Sequence, residues 1–137
     1  MKKTLTVLAC FIWLMAGFAW GQQASVETLP PSVVNTVPQC GDIAVDAAAT
    51  RQITVRFSKE MMQGSWTWAK ISAETFPLIL GEPRFQADGM TCVADVELKP
   101  GRTYAVWLNS EKMGGFKDLN GNPAVPYLLV FHTKGGK

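Results

Sequence analysis

QITVRFSKEMM, residues 52–62, sets Ile53, Val55 and Phe57 in alternation with Thr54, Arg56 and Ser58. Successive side chains of an extended chain point to opposite faces, so a period of two gives a strand with one apolar and one polar side. That apolar side needs a second layer to cover it. The rest of the chain offers more strands of the same kind and no run with helical spacing of normal length, so the cover is a second sheet.

Downstream, WTWAKIS (66–72) alternates Trp66, Trp68 and Lys70 with Thr67, Ala69 and Ile71. Pro77 marks a loop with a short extended piece at 78–80. Residues 84–86 and 91–98 flank Ala87-Asp88-Gly89, and Asp-Gly between two such runs predicts a hairpin. In the second run Cys92, Ala94, Val96 and Leu98 share one face. Upstream, SVVNTVP (32–38) reads as a first strand ended or confined to an edge by Pro38, followed by a turn at Cys40-Gly41-Asp42. The last strand, 127–133, turns Tyr127, Leu129 and Phe131 inward and His132 outward.

Leu98-Lys99-Pro100-Gly101-Arg102-Thr103-Tyr104 matches the inter-sheet corner of immunoglobulin-like sandwiches, in which the Tyr hydroxyl bonds back to the preceding loop. Tyr104, Val106 and Leu108 then face the core and Trp107 faces away. About seven short strands separated by turn signals predict an all-β, immunoglobulin-like antiparallel β-sandwich.

The first residues give the address. Lys2 and Lys3, an apolar run from Leu5 to Phe18 and the small residues Ala19 and Gly21 around Trp20 read as a secretory signal peptide over 1–21. Its apolar run is too short for a membrane span, and only a few apolar residues precede Cys10, so a lipid anchor is not expected. Removing 21 of 137 residues leaves 116, one domain's worth. The expected organisation is a leader over 22–31, extended and led by glutamines and Pro30-Pro31, and the sandwich over 32–134. The mature chain is expected to be secreted, periplasmic or extracellular, with no membrane insertion after cleavage. Of 13 basic residues two leave with the signal, which balances the 11 acidic ones. A balanced chain steers neither nucleic acid nor anionic lipid, and neither is expected as a partner.

Three stretches, PPSVVNTVPQCGDIAVD, ITVRFSKEM and KDLNGNPAVPYLLVFHT, in this order and spacing, resemble the bacterial Ig-like domain of S-layer proteins of the SbsA type. The resemblance covers nearly the whole mature chain. It implies a sandwich used as a stalk, spacer or interaction module, with no catalytic residues to carry over.

The residues themselves give no strong chemical motif. His132 is the single histidine, with no nucleophile-elbow sequence to partner it. One His and two separated Cys give no zinc spacing, and no metal or cofactor is expected. Asp118-Leu119-Asn120-Gly121-Asn122 has oxygen-bearing residues at alternate positions, but its Gly is fourth rather than sixth and the twelfth position is Leu129, so a turn is expected instead of a calcium loop. Cys40 falls near the start of the strand at 52 and Cys92 near its far end, about 20 Å away, beyond the roughly 7 Å of a disulfide, so both are expected unpaired.

With Trp13 and Trp20 in the signal, Trp66, Trp68 and Trp107 remain. They could form an exposed aromatic platform for a sugar or a protein partner. Alternatively Trp66 and Trp68 are core residues, as the Trp of that strand is in antibody domains, and the 110–126 connection covers Trp107 with Met113 or Phe116. The expected function is a non-catalytic structural or protein-interaction module of the bacterial cell envelope. The second reading is a carbohydrate-binding module built on Trp107, with an envelope protein or glycan as partner; an enzyme ranks third.

Overall fold

The computed structural model describes residues 21 and 23–136. The signal peptide read over 1–21 lies, except for Gly21, outside the described residues. Within the leader, Ser25 and Thr28 trade hydrogen bonds and close a turn, so 23–31 is not extended throughout. Among the described residues no helix forms, and none is long and apolar enough to cross a membrane.

The strands are β1 (Val33–Val37), β2 (Gln52–Phe57), β3 (Trp68–Lys70), β4 (Leu78–Phe85), β5 (Thr91–Glu97), β6 (Thr103–Leu108) and β7 (Tyr127–His132). They form two antiparallel sheets, a four-stranded one in the order β1-β2-β5-β4 and a three-stranded one in the order β3-β6-β7. This is the strand order of a seven-stranded immunoglobulin-like sandwich.

The core follows from the alternation. Ile53, Val55 and Phe57 of β2 are fully buried, as are Cys92, Ala94 and Val96 of β5 and Val106, Leu108, Leu129 and Phe131 of the facing sheet, each 2% exposed or less. Burying one such aliphatic or aromatic side chain is worth about 1.5–3 kcal/mol, so the two facing layers hold each other.

Two strands differ from the sequence reading. The short extended piece expected at 78–80 and the separate run at 84–86 are joined in β4, a single strand over Leu78–Phe85. Between Leu80, opposite Asp95, and Arg84, opposite Val93, β4 advances four positions while β5 advances two. Gly81, at a φ of 72°, gives the backbone the left-handed step that absorbs the surplus, and Pro83 sits in the bulge, where no ladder donor is needed. β3 is shorter than 66–72. Thr67 is drawn off its end, its carbonyl accepting from Asn109 N–H and its hydroxyl from Gly115 N–H.

The corner forms as expected: Lys99 N–H donates to Tyr104 Oη at 2.8 Å. Buried Thr133 completes it, donating its hydroxyl to Lys99 O at 2.7 Å and accepting from Arg102 N–H at 2.9 Å. At the other edge of the three-stranded sheet, residues 41–45 run parallel to β7. Gly41 N–H donates to Val130 O, His132 N–H to Asp42 O, Val45 N–H to His132 O and Lys134 N–H to Val45 O, with Val45 facing Thr133.

Cys40 and Cys92 are both free. Cys40 lies exposed beside β7, its thiol 3.4 Å from Leu128 O, while Cys92 is buried opposite Val55. Burial pushes the Cys92 thiol up to about 12, so it sits in the core as a neutral group.

Candidate functional site

Trp107 stands on the outer face of the three-stranded sheet. Its β6 neighbours Val106 and Leu108 fill the core, and the alternation turns the indole away from them. Directly opposite it lie Ala69 on β3 and Leu128 on β7. The indole is half-buried and lines a cleft of about 420 Å³ with Ser110, Glu111, Lys112 and Pro126. A second cleft of about 480 Å³ shares four of these residues and extends to Lys117 and Gly121.

Trp66 and Trp68 take the other face. Both are half-buried and pack against the core, and the Trp68 ring meets the Phe116 ring edge-on at 6.2 Å. Trp68 Nε1 is buried without a hydrogen-bond partner. The sheet therefore separates the three tryptophans, with Trp107 outside and the other two inside, and they form no common platform.

The connection after β6 covers Trp107 only in part. Phe116, one of the two residues expected to cover it, is fully buried in the core instead, 4.9 Å from the Phe57 ring and 6.3 Å from that of Phe85. Met113, the other, is 52% exposed. The residue that directs this path is Asn109, which sequence reading passed over. It is 1% exposed and adopts a φ of 59°, which Asn tolerates better than most residues. Its amide donates to the carbonyls of Phe116 at 2.9 Å and Ala124 at 3.1 Å, and its Oδ1 accepts from Phe116 N–H at 2.8 Å. Both arms of the connection are thus tied to one side chain. The only local signal was a polar residue at the end of an apolar strand.

Gly115 fits where no other residue could, since a Cβ there would run into Trp66 O and Thr67 Oγ1. Ser65 donates its hydroxyl to Gly115 O, closing the same contact from the other side.

The 118–122 stretch is a turn built on Asp118, which is 1% exposed. Oδ1 accepts from the backbone N–H groups of Asn120 and Asn122; Oδ2 accepts from Lys59 Nζ at 2.9 Å and from the Asn122 amide at 3.1 Å. Burial opposes ionisation of this carboxyl. The Lys59 ammonium and the Asn122 and Asn120 donors outweigh it and hold the group at about 2. The Lys59 ammonium thus supplies the countercharge to this carboxylate, and Lys59 also reaches Glu27 O.

Two further polar clusters lie on the outer faces of the sheets. On the outer face of the four-stranded sheet Asp95 takes a two-pronged bond from Arg84, at 2.8 and 3.2 Å, and a third from Gln52 at 2.8 Å. His132 lies on the outer face of β7 as expected, half-buried, with Nδ1 2.9 Å from Thr103 Oγ1. Among the described residues no group of three or more His, Cys, Asp and Glu side chains is placed to hold a metal ion.

The chain is similar to two solved S-layer structures. One is the crystal structure of the S-layer protein rSbsC(31-844), 19% identical over 80% of this chain, with a TM-score of 0.49. The other is surface layer protein SbsC, domains 1-6, 18% identical over 81% of this chain, with a TM-score of 0.45. The chain spans 14% of the length of each. Comparison with curated proteins gives no match. A family model described as a bacterial Ig-like domain matches residues 27–133.

Proposed function

Because the chain belongs to the bacterial Ig-like domain family over residues 27–133, we propose that it works as a secreted, non-catalytic structural or protein-interaction module of the cell envelope. The observation that carries this reading is how the polar groups are used. Asp118 and Lys59 hold a turn, Asp95 and Arg84 brace a sheet face, Asn109 and Thr133 tie connections, and His132 meets Thr103. The Trp107 cleft is an outward-facing concave surface with an aromatic side chain in its lining. A half-buried aromatic side chain beside a concave surface commonly serves as a contact point, and this one is the proposed seat of an envelope protein or glycan.

The secreted address is supported by the Lys2–Gly21 pattern in the sequence, and the finer assignment to the SbsA S-layer type by the order of its three motifs. Both belong to this proposal.

Fractionation of native cells, with the chain detected by antibody, tests the address. A chain shortened at its N-terminus and found in envelope or medium supports it, and a full-length chain in the cytosol overturns it. Capture from native envelope with the wild type and with Trp107→Ala tests the contact surface. A partner that is lost with the variant, at unchanged melting temperature, supports it. An unchanged set of partners removes it.

A further inference from the structure

We infer that the Trp107 cleft is a saccharide site in which a pyranose ring lies flat on the indole while Glu111 and Lys112 meet its hydroxyls. The inference rests on the reading of Trp107 as the contact surface and goes further by naming the ligand class.

The floor is the first support. Ala69 stands opposite Trp107 and Ala105 precedes it by two positions on the same outer face, so two of its sheet neighbours are too small to rise beside the ring. The face of an indole carries the negative lobe of its quadrupole. The C–H bonds on one side of an equatorially substituted pyranose are weakly positive and flat, and they match it. Branched aliphatic side chains offer no such plane.

The rim is the second support. Glu111 and Lys112 are exposed, and among the described residues neither is in an ion pair. A carboxylate acceptor and an ammonium donor thus stand side by side at the mouth of the cleft. A purely apolar ligand would desolvate both without replacement bonds. A ligand with one sign of charge would be drawn by one and repelled by the other. A neutral polyhydroxyl ligand presents donors and acceptors together and satisfies both.

The third support is rigidity. Glu111 and Lys112 sit at the tip of a turn closed by reciprocal backbone bonds, Ser110 N–H to Met113 O at 2.8 Å and Met113 N–H to Ser110 O at 3.2 Å, with Ser110 Oγ accepting from Met113 N–H as well. The turn springs from Asn109, which is clamped in the core. The backbone of the rim is therefore held before a ligand arrives, and the ordering cost of binding falls on the Glu111 and Lys112 side chains alone. The adjoining cleft past Pro126 gives a second ring somewhere to go, so an oligosaccharide fits better than a single unit.

The mature chain carries its own control, since Trp66 and Trp68 pack on the opposite face. Its indole N–H signals are followed by NMR as cellotetraose or chitotetraose is added to millimolar concentration. The expected result is a saturable shift of the Trp107 signal with those of Trp66 and Trp68 unmoved. Trp107→Ala then weakens binding by about tenfold or more, and the paired variant Glu111→Gln with Lys112→Gln weakens it severalfold. Should Trp107→Ala fail to fold, the paired rim variant decides, and unchanged affinity there overturns the inference. A Trp107 signal that neither sugar moves overturns it as well. If an envelope protein nevertheless requires Trp107, the contact-surface reading stands and the saccharide assignment alone falls. If no partner requires Trp107, both fall.

Discussion

The two connections on either side of β6 close opposite ends of the sandwich by different means. The β5–β6 corner is short and closes on itself: a hydroxyl from the start of β6 reaches back to Lys99, and Thr133 locks the rest. The β6–β7 connection is long and closes on distant parts of the chain. Asn109 ties its two arms, Phe116 plugs the core between the sheets, Gly115 lies against Trp66 and Thr67, and Asp118 joins it to Lys59 of the β2–β3 connection. A short corner needs one hydrogen bond in the right place. A long connection needs a buried anchor, and the end it closes should fail more severely when the anchor is removed.

The sharpest way to break the comparison is Phe116→Ala. Removing a fully buried aromatic ring is expected to cost about 3–5 kcal/mol by chemical denaturation, the range for such truncations. A loss under about 1 kcal/mol would mean that the connection is a surface loop rather than a plug.

Asn109→Ala comes next. It strands Phe116 N–H without its partner and frees two carbonyls, and leaving a buried group unsatisfied costs about 1–3 kcal/mol. Alanine also accepts the positive φ less readily than Asn. The same denaturation series measures the loss, and a variant as stable as the wild type would remove Asn109 as the clamp.

Tyr104→Phe tests the short corner and is expected to cost about 1–2 kcal/mol, one hydrogen bond's worth. An unchanged midpoint would show the corner to be held by Thr133 alone. If Tyr104→Phe costs more than Phe116→Ala, the contrast between the two ends is reversed.

A further effect is in pH. The folded Asp118 carboxyl titrates near 2, below the ordinary value of 3.8. A depressed pKa means that the ionised form contributes stability above about 4 and loses it as the pH falls through about 2. The melting temperature of the wild type should therefore exceed that of Asp118→Asn at neutral pH, and the gap should narrow over that window. A gap that is constant down to pH of about 2 would show that the carboxylate's charge has no part in holding the turn.

The same contrast governs what could be read in advance. The corner was legible because Leu98, Pro100, Gly101 and Tyr104 act within one stretch of chain, and each is a residue type with a local reason to be there. The outward turn of Trp107 was legible too, from nothing more than the alternation of Tyr104, Val106 and Leu108. Phe116 was not. Its destination depends on Asn109, on the absence of a side chain at Gly115 and on space left by Phe57 and Phe85, and no local pattern carries all three. The 118–122 turn was read correctly as a turn, but its partner Lys59 lies in another connection and bears no sign of the pairing. β4 was read in two pieces, one of them within a loop marked by Pro77, whereas here β5 supplies a template on which a bulge at Gly81 and Pro83 bridges the two. The interior placement of Trp66 and Trp68 was one of two readings left open. Period-two alternation shows that two residues share a face without showing which face it is.

The run of 41–45 along β7 has a mechanical consequence. The two segments are parallel, one near the start of the sandwich and the other at its end. Tension applied between the two ends of the domain pulls them in opposite directions along their length. The bonds at Gly41, Asp42, Val45 and Lys134 are then loaded together in shear, not opened one after another, and a group of hydrogen bonds that must break at once resists more force than the same bonds unzipped in turn.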